Sequence, residues 1–166
     1  MRIAPAGRRG ASCRWSLVVE TARGTLRTTG ASEEAPQLAG LVAIDARRGA
    51  EILVALPSPA PPTPFAWFGV RGGRIVRFRI RPQTEVGDAF VAGEGFGLVF
   101  FSFGCVARGG LVQTTAAPLR RGYVATRSFY RLTGTVFRLE RTVRVRIPKD
   151  GLGSLPELSR RPFARC

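Results

Sequence analysis

The amino-acid sequence predicts an all-β fold of antiparallel, hairpin-built sheets. Apolar and polar residues alternate along its best-defined segments, which is the period of a strand with one buried face and one solvated face. The 166 residues include 20 glycines and 12 prolines, which long helices tolerate poorly and which turns between short strands require. Short glycine turns separate several segments. We expect the sheets to form a sandwich, a small barrel or incomplete propeller blades.

Three of these turns predict β-hairpins, because a glycine lies between two strand-like runs in each of them: Arg23-Gly24, Gly72-Gly73 and Thr133-Gly134. Further strands are predicted over four apolar runs: Gly40–Asp45, Glu51–Leu56, Gly97–Phe103 and Gly110–Thr115. The proline-rich segment Pro57–Pro64 is predicted to be a loop, since proline cannot donate to a strand ladder.

Two segments show the alternation most clearly. Over Arg74–Arg81 one face is predicted to carry Val76, Phe78 and Ile80, and the other face to carry Arg77, Arg79 and Arg81. In the segment Thr135–Ile147 the odd positions from Phe137 onward are apolar except for Arg141, which predicts one strand or two strands joined by a bulge.

We expect one domain. Residues 1–14 are predicted to be disordered or a mis-annotated start, and residues 15–166 to form a single all-β domain. A weak internal repeat of three strands covers about 51–80 and 110–140, with Ile52 aligned to Leu111 and Phe68 to Tyr130.

The chain is strongly basic, with 26 Lys and Arg against 11 Asp and Glu and a net charge of +15; Lys149 is its only lysine. Such a charge attracts nucleic acid and other polyanions, although solvated arginines also protect strand edges from pairing. One interpretation of this charge is therefore a nucleic-acid-binding β domain with a basic sheet face, formed by Arg77, Arg79, Arg81, Arg138, Arg144 and Arg146.

The sequence contains no histidine, which removes histidine-dependent nucleophilic sites and the commonest general base at neutral pH. Its three cysteines are too widely spaced for a structural zinc site. We predict no catalytic residues, no metal and no cofactor. No apolar run approaches the ~20 residues of a membrane-spanning helix.

The segment Ala39–Leu56 (AGLVAIDARRGAEILVAL) resembles a degenerate FG-GAP/VCBS repeat, the repeat of integrin-type β-propellers. Asp45 and Glu51 match the first and last acidic positions of that family's calcium loop, but arginines and small residues replace the acids between them. Calcium takes about six to eight oxygen ligands, so we expect these two acids to be remnants without calcium. Over residues 15–166 the chain is also similar to uncharacterised exported proteins of actinobacteria.

The resemblance implies a non-catalytic binding or structural module, secreted or in the cell envelope, whose partner is an unidentified protein or a cell-surface polymer. The chain as given shows no signal peptide. The resemblance also favours a disulfide between Cys105 and Cys166, which would fasten the C-terminal tail to the sheet; the alternative is two free thiols in a reducing compartment. Cys13 is left without an assigned role.

Overall fold

A computed structural model describes residues 1–10, 12–44, 49–106, 110–155 and 157, except for the side chains of Arg8, Arg9 and Phe96. It confirms the all-β fold class. The described residues contain two single-turn 3₁₀ helices, Phe96–Leu98 and Leu152–Ser154. Their strands are β1 Arg2–Arg9, β2 Ser12–Thr21, β3 Gly24–Ser32, β4 Gln37–Val42, β5 Glu51–Ala55, β6 Thr63–Arg71, β7 Arg74–Arg77, β8 Arg79–Arg81, β9 Phe90–Glu94, β10 Phe100–Val106, β11 Gly110–Leu119, β12 Gly122–Thr133 and β13 Val136–Ile147.

The strands form two sheets. The small sheet has the order β1-β2-β3, and the large sheet has the order β4-β5-β6-β9-β10-β11-β12-β13-β8, with β7 paired to β6. All of these ladders are antiparallel except β8–β13, which is parallel. Between β7 and β8 the chain changes partner, because Phe78 N–H donates to Trp67 O and Arg79 N–H donates to Thr135 O. The large sheet is therefore not closed into a barrel by one continuous ladder.

Aromatic side chains hold the large sheet together. Its strands converge on one buried group, which we call the central cluster: Val42, Ile44, Leu53, Trp67, Phe78, Ile80, Phe90, Phe103, Cys105, Leu111, Tyr130 and Phe137. Phe90 contacts the rings of Phe103, Tyr130 and Phe137 at centroid distances of 5.2–5.8 Å. Since aromatic pairs of this kind stabilise beyond their buried area, this cluster defines the core. We call the sheet face that carries it the inner face and the opposite one the outer face.

The small sheet covers the outer face of β5 and β6. Its residues Trp15 and Leu17 pack against Ile52, Val54 and Phe68, which form a second buried cluster with Ala66. Every residue of β5 is consequently buried, because the central cluster lies on one side of this strand and the small sheet on the other. The two layers make the fold sandwich-like in this region.

The expectation that residues 1–14 are disordered is wrong for the described part of that segment. Residues Arg2–Arg9 form β1, which pairs with β2, and Ile3 packs against the second cluster. Pro5 and Gly7 conceal the strand in the sequence: the register shifts between Pro5 and Arg8, and Gly7 has φ +99°, which is a bulge geometry.

All three predicted hairpins are present. The turns lie between β2 and β3, β6 and β7, and β12 and β13, where the flanking pairs are Thr21↔Gly24, Arg71↔Arg74 and Thr133↔Val136. Gly72 and Gly73 have φ values of +55° and +71°, the left-handed conformation that a two-residue hairpin requires.

The two predicted repeat segments are three-stranded antiparallel units. Ile52 pairs with Phe68, and Leu111 pairs with Tyr130, as the alignment of the segments implies. The two pairs nevertheless face different clusters: the first faces the small sheet, and the second faces the central cluster. The units are therefore alike in connectivity and opposite in the face that these positions present.

The outer face of β10–β13 is covered at one end by the chain that follows β13, described over residues 148–155 and 157, which we call the C-terminal segment. Ala116, Ala125 and Ile147 are buried there, and Leu152 and Leu155 pack against them. No helix of the described residues is long and apolar enough to cross a membrane.

Candidate anion-binding face

A bulge in β13 decides which way its arginines point. Tyr130 pairs with Leu139 whereas its neighbour Phe129 pairs with Arg141, so Glu140 is an extra residue in β13. An extra residue reverses the alternation of faces beyond it. Phe137 and Leu139 therefore face inward, and the odd positions after the bulge face outward.

The six arginines predicted to share one sheet face consequently do not share it. Arg138 precedes the bulge and lies on the outer face, opposite Arg131. Arg144 and Arg146 follow it and lie on the inner face, opposite Thr126 and Val124. The expectation of a single basic face is corrected by the bulge, which the sequence alternation does not reveal.

A row of arginines crosses three strands on the outer face. Arg81 of β8 is in register with Arg138 of β13, which is in register with Arg131 of β12. Neighbouring strands lie about 4.8 Å apart, so the row is about 10 Å wide. Arg79 lies beside it on β8, where the buried Ile80 fixes the alternation, and Arg141 lies on β13 beyond the bulge. We call these five residues the outer arginine face: Arg79, Arg81, Arg131, Arg138 and Arg141.

Two carboxylates compensate part of this charge. Asp88 Oδ1 lies 3.0 Å from Arg81 Nη1 and also accepts the Ile80 N–H at 2.8 Å, which fixes the end of β8. Glu140 Oε1 lies 2.6 Å from Arg131 Nε, in a pair that remains exposed. Within the described part of the chain, Arg79, Arg138 and Arg141 have no carboxylate within ion-pair distance, so the face carries three uncompensated positive charges.

Arg77 also lies on the outer side, but it is turned toward a loop. Its Nη2 donates to the backbone O of Asp88 at 3.3 Å. It pairs with Phe68, a residue covered by the small sheet, and it lines a crevice of about 370 Å³ between that sheet and the loop after β5. Arg77 is therefore engaged by the backbone of Asp88, whose carboxylate pairs with Arg81 of the row.

The aromatic ring of Phe129 lies under one end of the outer arginine face. The guanidinium of Arg141 lies 4.6 Å from the centroid of the Phe129 ring, and that of Arg127 lies 5.1 Å from it. Beside the ring is a cleft of about 390 Å³, also lined by Gly110, Arg131 and Glu140. The contact with Phe129 restrains Arg141 without neutralising it.

Glu157 fixes the neighbouring Arg127 from the C-terminal side. Its buried carboxylate accepts hydrogen bonds from Arg127 Nε at 2.6 Å, Arg127 Nη2 at 3.0 Å and Thr114 Oγ1 at 2.7 Å. The hydroxyl of Ser102 donates to the backbone O of Glu157. A two-pronged arginine–carboxylate pair is among the strongest hydrogen-bonded arrangements, so this contact docks the C-terminal segment on the outer face.

The two predicted remnants of a calcium loop have different outcomes. Asp45 lies outside the described residues. Glu51 is fully buried at the start of β5, where Oε1 accepts from Arg71 Nη2 at 2.8 Å and Oε2 accepts from the Ile44 N–H at 3.0 Å. Both carboxylate oxygens therefore have a partner from the chain itself, and a guanidinium supplies the compensating charge.

The cysteine prediction is only partly described by the structure. Cys105 is buried in the central cluster on β10, and Cys166 lies outside the described residues, so their disulfide stays a prediction. Cys13 is a free, partly exposed thiol on β2, and its Sγ lies 3.7 Å from the backbone O of Glu33.

The acidic side chains of the described residues are the remaining candidates for metal binding or acid–base chemistry. Nowhere in the part of the chain that the structure describes do three His, Cys, Asp or Glu side chains come close enough to hold a metal ion. The four carboxylates of Glu51, Asp88, Glu140 and Glu157 are each engaged by an arginine. A carboxylate held in this way positions the fold and is a weak candidate for acid–base chemistry.

Comparison with known proteins adds no relative: no protein-family model matches the chain, and no curated protein or solved structure shows significant similarity to it. The FG-GAP/VCBS resemblance therefore stays a prediction.

Three residues of this region were missed in the sequence: Arg131, Arg141 and Phe129. The hairpin predicted at this turn brings Arg131 close to β13, but the pairing of Arg131 with Arg138 depends on a turn at Gly134 and Thr135, one residue later than predicted. The position of Arg141 depends on the bulge, whose location alternation alone leaves open.

Proposed function

We propose that the protein is a non-catalytic β module of the cell envelope that binds an anionic cell-surface polymer through the outer arginine face. The observation that carries this proposal is the row Arg81–Arg138–Arg131 with Arg79 and Arg141 beside it, where three of the five charges have no carboxylate partner among the described residues. Arginine presents several donors in a fixed plane and suits carboxylate, sulfate and phosphate groups. A linear polymer lying across the row would meet charges at intervals of about 5 Å.

The surface favours a polymer without bases over single-stranded nucleic acid. Stacking on exposed aromatic rings supplies much of the affinity for single strands. The exposed large apolar side chains of the described residues are Met1, Leu38, Leu41, Val86, Leu98 and Leu119, none of them aromatic. Phe129, the ring nearest the row, is occupied by two guanidinium groups.

The test is binding to heparin and to polygalacturonate, with neutral dextran as the negative control and a single-stranded oligothymidylate as the competitor. We expect saturable binding of both acidic polysaccharides that weakens as salt rises, because arginine contacts release counterions. Arg138→Gln should weaken binding and reduce the slope of log affinity against log salt by up to about one. Arg146→Gln is the matched control, since this arginine lies on the same strand but on the inner face, opposite Val124.

Equal losses from Arg138→Gln and Arg146→Gln would mean attraction by net charge alone and would refute a defined face. Tighter binding of the oligothymidylate than of either polysaccharide, lost in Arg138→Gln, would assign the face to nucleic acid instead. Retention of dextran would show that charge is not the determinant.

The envelope location has its own test in the proposed Cys105–Cys166 disulfide. Because Cys105 is only 4% exposed, a native-state alkylation would miss it even as a free thiol. Thiols should therefore be alkylated in acid-quenched, denatured protein before non-reducing peptide mapping. A cross-linked peptide pair supports an oxidising compartment, and alkylation of all three cysteines refutes it.

A further inference from the structure

The large sheet opens between strands β9 and β10. Strands β9 and β10 pair only through Gly93↔Phe101 and Glu94↔Phe100. Beyond these pairs the side chain of Gln113 replaces the backbone hydrogen bonds between the two strands. Its Oε1 accepts the Val91 N–H at 2.9 Å, and its Nε2 donates to Val91 O at 3.0 Å and Ser102 O at 2.9 Å. An amide side chain thus bridges two strands that have separated.

The gap is the end of a cleft of about 460 Å³, which is within the roughly 300–1,000 Å³ range of small-molecule sites. Its walls carry Phe101, Thr115 and Tyr130, and the loop side carries Gln83 and Glu85. Burial raises the pKa of the Tyr130 phenol above its ordinary value, against a smaller lowering by a hydrogen bond to Ser128, so the phenol is protonated at neutral pH. The cleft is therefore lined by hydroxyl, amide and carboxylate groups around two aromatic rings.

The hydroxyl surface continues across the sheet. Thr115 is in register with Thr126, and Thr126 with Arg144. The next row contains Ser128 and Thr142, whose hydroxyls lie 3.2 Å apart. Thr115, Thr126 and Ser128 point inward by alternation from Leu111 and Tyr130 on their own strands. The bulge at Glu140 brings Thr142 and Arg144 of β13 to the same face. Arg144 is exposed and has no ion-pair partner in the described part of the chain.

From this arrangement we infer that the inner face holds a second binding site, for a small saccharide that carries a carboxylate. Hydroxyl and amide groups exchange hydrogen bonds with sugar hydroxyls, which are both donors and acceptors, and Glu85 accepts from them. The rings of Phe101 and Tyr130 offer apolar surface for the sugar face. Arg144 pairs with the carboxylate about 10 Å from Thr115, two strand spacings away. This site lies on the opposite face from the outer arginine face and does not depend on it.

The experiment is titration of the full chain with digalacturonate, followed by NMR chemical-shift perturbation and calorimetry, with its dimethyl ester as the neutral counterpart. We expect saturable millimolar binding, at least about tenfold weaker for the ester and for Arg144→Gln, since a charge-assisted hydrogen bond is lost in both cases. Thr126→Val should weaken binding of the acid and the ester alike. Arg27→Gln, at an exposed position on β3 of the small sheet and outside both proposed sites, should leave digalacturonate binding unchanged.

Absence of saturable binding by folded wild-type protein, or equal affinity for acid and ester, would overturn the proposal. So would shift perturbations confined to the outer face. If Arg138→Gln alone abolished digalacturonate binding, the sugar would be bound by the outer arginine face, which would refute this site and support the proposed function. If Arg144→Gln abolished digalacturonate binding and Arg138→Gln did not, the sugar would be bound by the inner face independently of the outer arginine face.

Discussion

Removal of the Glu51 carboxylate should destabilise the fold strongly, because this group is buried with two donors aimed at it. The side chain of Glu51 has no exposed surface, and it accepts from Arg71 Nη2 at 2.8 Å and from the Ile44 N–H at 3.0 Å. In Glu51→Ala both donors lose their acceptor, and the guanidinium remains against the core, over the Phe78 ring at 5.4 Å. Removing one partner of a buried pair costs about 3–5 kcal/mol.

The lower end of that range applies here, about 3 kcal/mol, because the Arg71 side chain is 21% exposed and can reach water. For a chain of this length, each kcal/mol corresponds to roughly 2–4 °C, so Tm should fall by about 6–12 °C. The assay is urea unfolding followed by the fluorescence of Trp15 and Trp67, which are both buried, with thermal unfolding by circular dichroism.

Two variants make this prediction refutable. Glu140→Ala breaks an ion pair of similar length, Arg131–Glu140, whose side chains are 62% and 44% exposed, so it should cost less than about 1 kcal/mol. Glu51→Leu combined with Arg71→Met should recover most of the loss, since two apolar groups leave no buried charge. If Glu51→Ala unfolds within about 1 kcal/mol of wild type, or no more easily than Glu140→Ala, the carboxylate does not anchor this end of β5.

Three further predictions concern other contacts. Glu157→Gln should cost about 2–4 kcal/mol and increase limited proteolysis near the C-terminus, because the partly buried Arg127 loses the charge opposite it. Unchanged urea stability would contradict the docking of the C-terminal segment. Gly30→Ala should cost about 1–3 kcal/mol, because a Cβ there would lie 2.3 Å from the Trp15 ring, whereas Gly40→Ala, with nothing within 4 Å, should be neutral in the same assay. Wild-type stability should fall as pH rises above about 10, since burial favours the protonated Tyr130 phenol; Tyr130→Phe should flatten that fall, and an unchanged alkaline profile would refute the assignment.

Local chemistry made the fold class predictable. The hairpins depend on short glycine turns, and the alternation over Arg74–Arg81 places Phe78 and Ile80 in the core as expected. What the sequence could not show is pairing between distant segments. The Arg127–Glu157 contact joins residues 30 positions apart, and the Gln113–Val91 bridge joins residues 22 positions apart. Neither is implied by a local pattern.

The N-terminal strand was missed for a related reason. Residues Arg2–Arg9 contain a proline, a glycine and a register shift, so no regular alternation remains. The strand forms because β2 provides a complete antiparallel partner, with Ile3 opposite Leu17. Its stability derives from that partner and not from intrinsic propensity, a contribution that strand patterns only partly report.

The bulge at Glu140 shows how a regular pattern can conceal a change of face. Apolar odd positions run through β13 on both sides of it, as in a single strand with one buried face. In the structure Phe137 faces the central cluster, whereas Val145 and Ile147 face the C-terminal segment on the other side. The first half of β13 packs its apolar side chains on the inner face, and the second half packs them on the outer face. The same alternation therefore contributes to two separate clusters. The arginines between them are divided in the same way, Arg138 outward and Arg144 inward. One inserted residue therefore converts what would be a single basic stripe into two separate surfaces on one strand, each with its own candidate ligand.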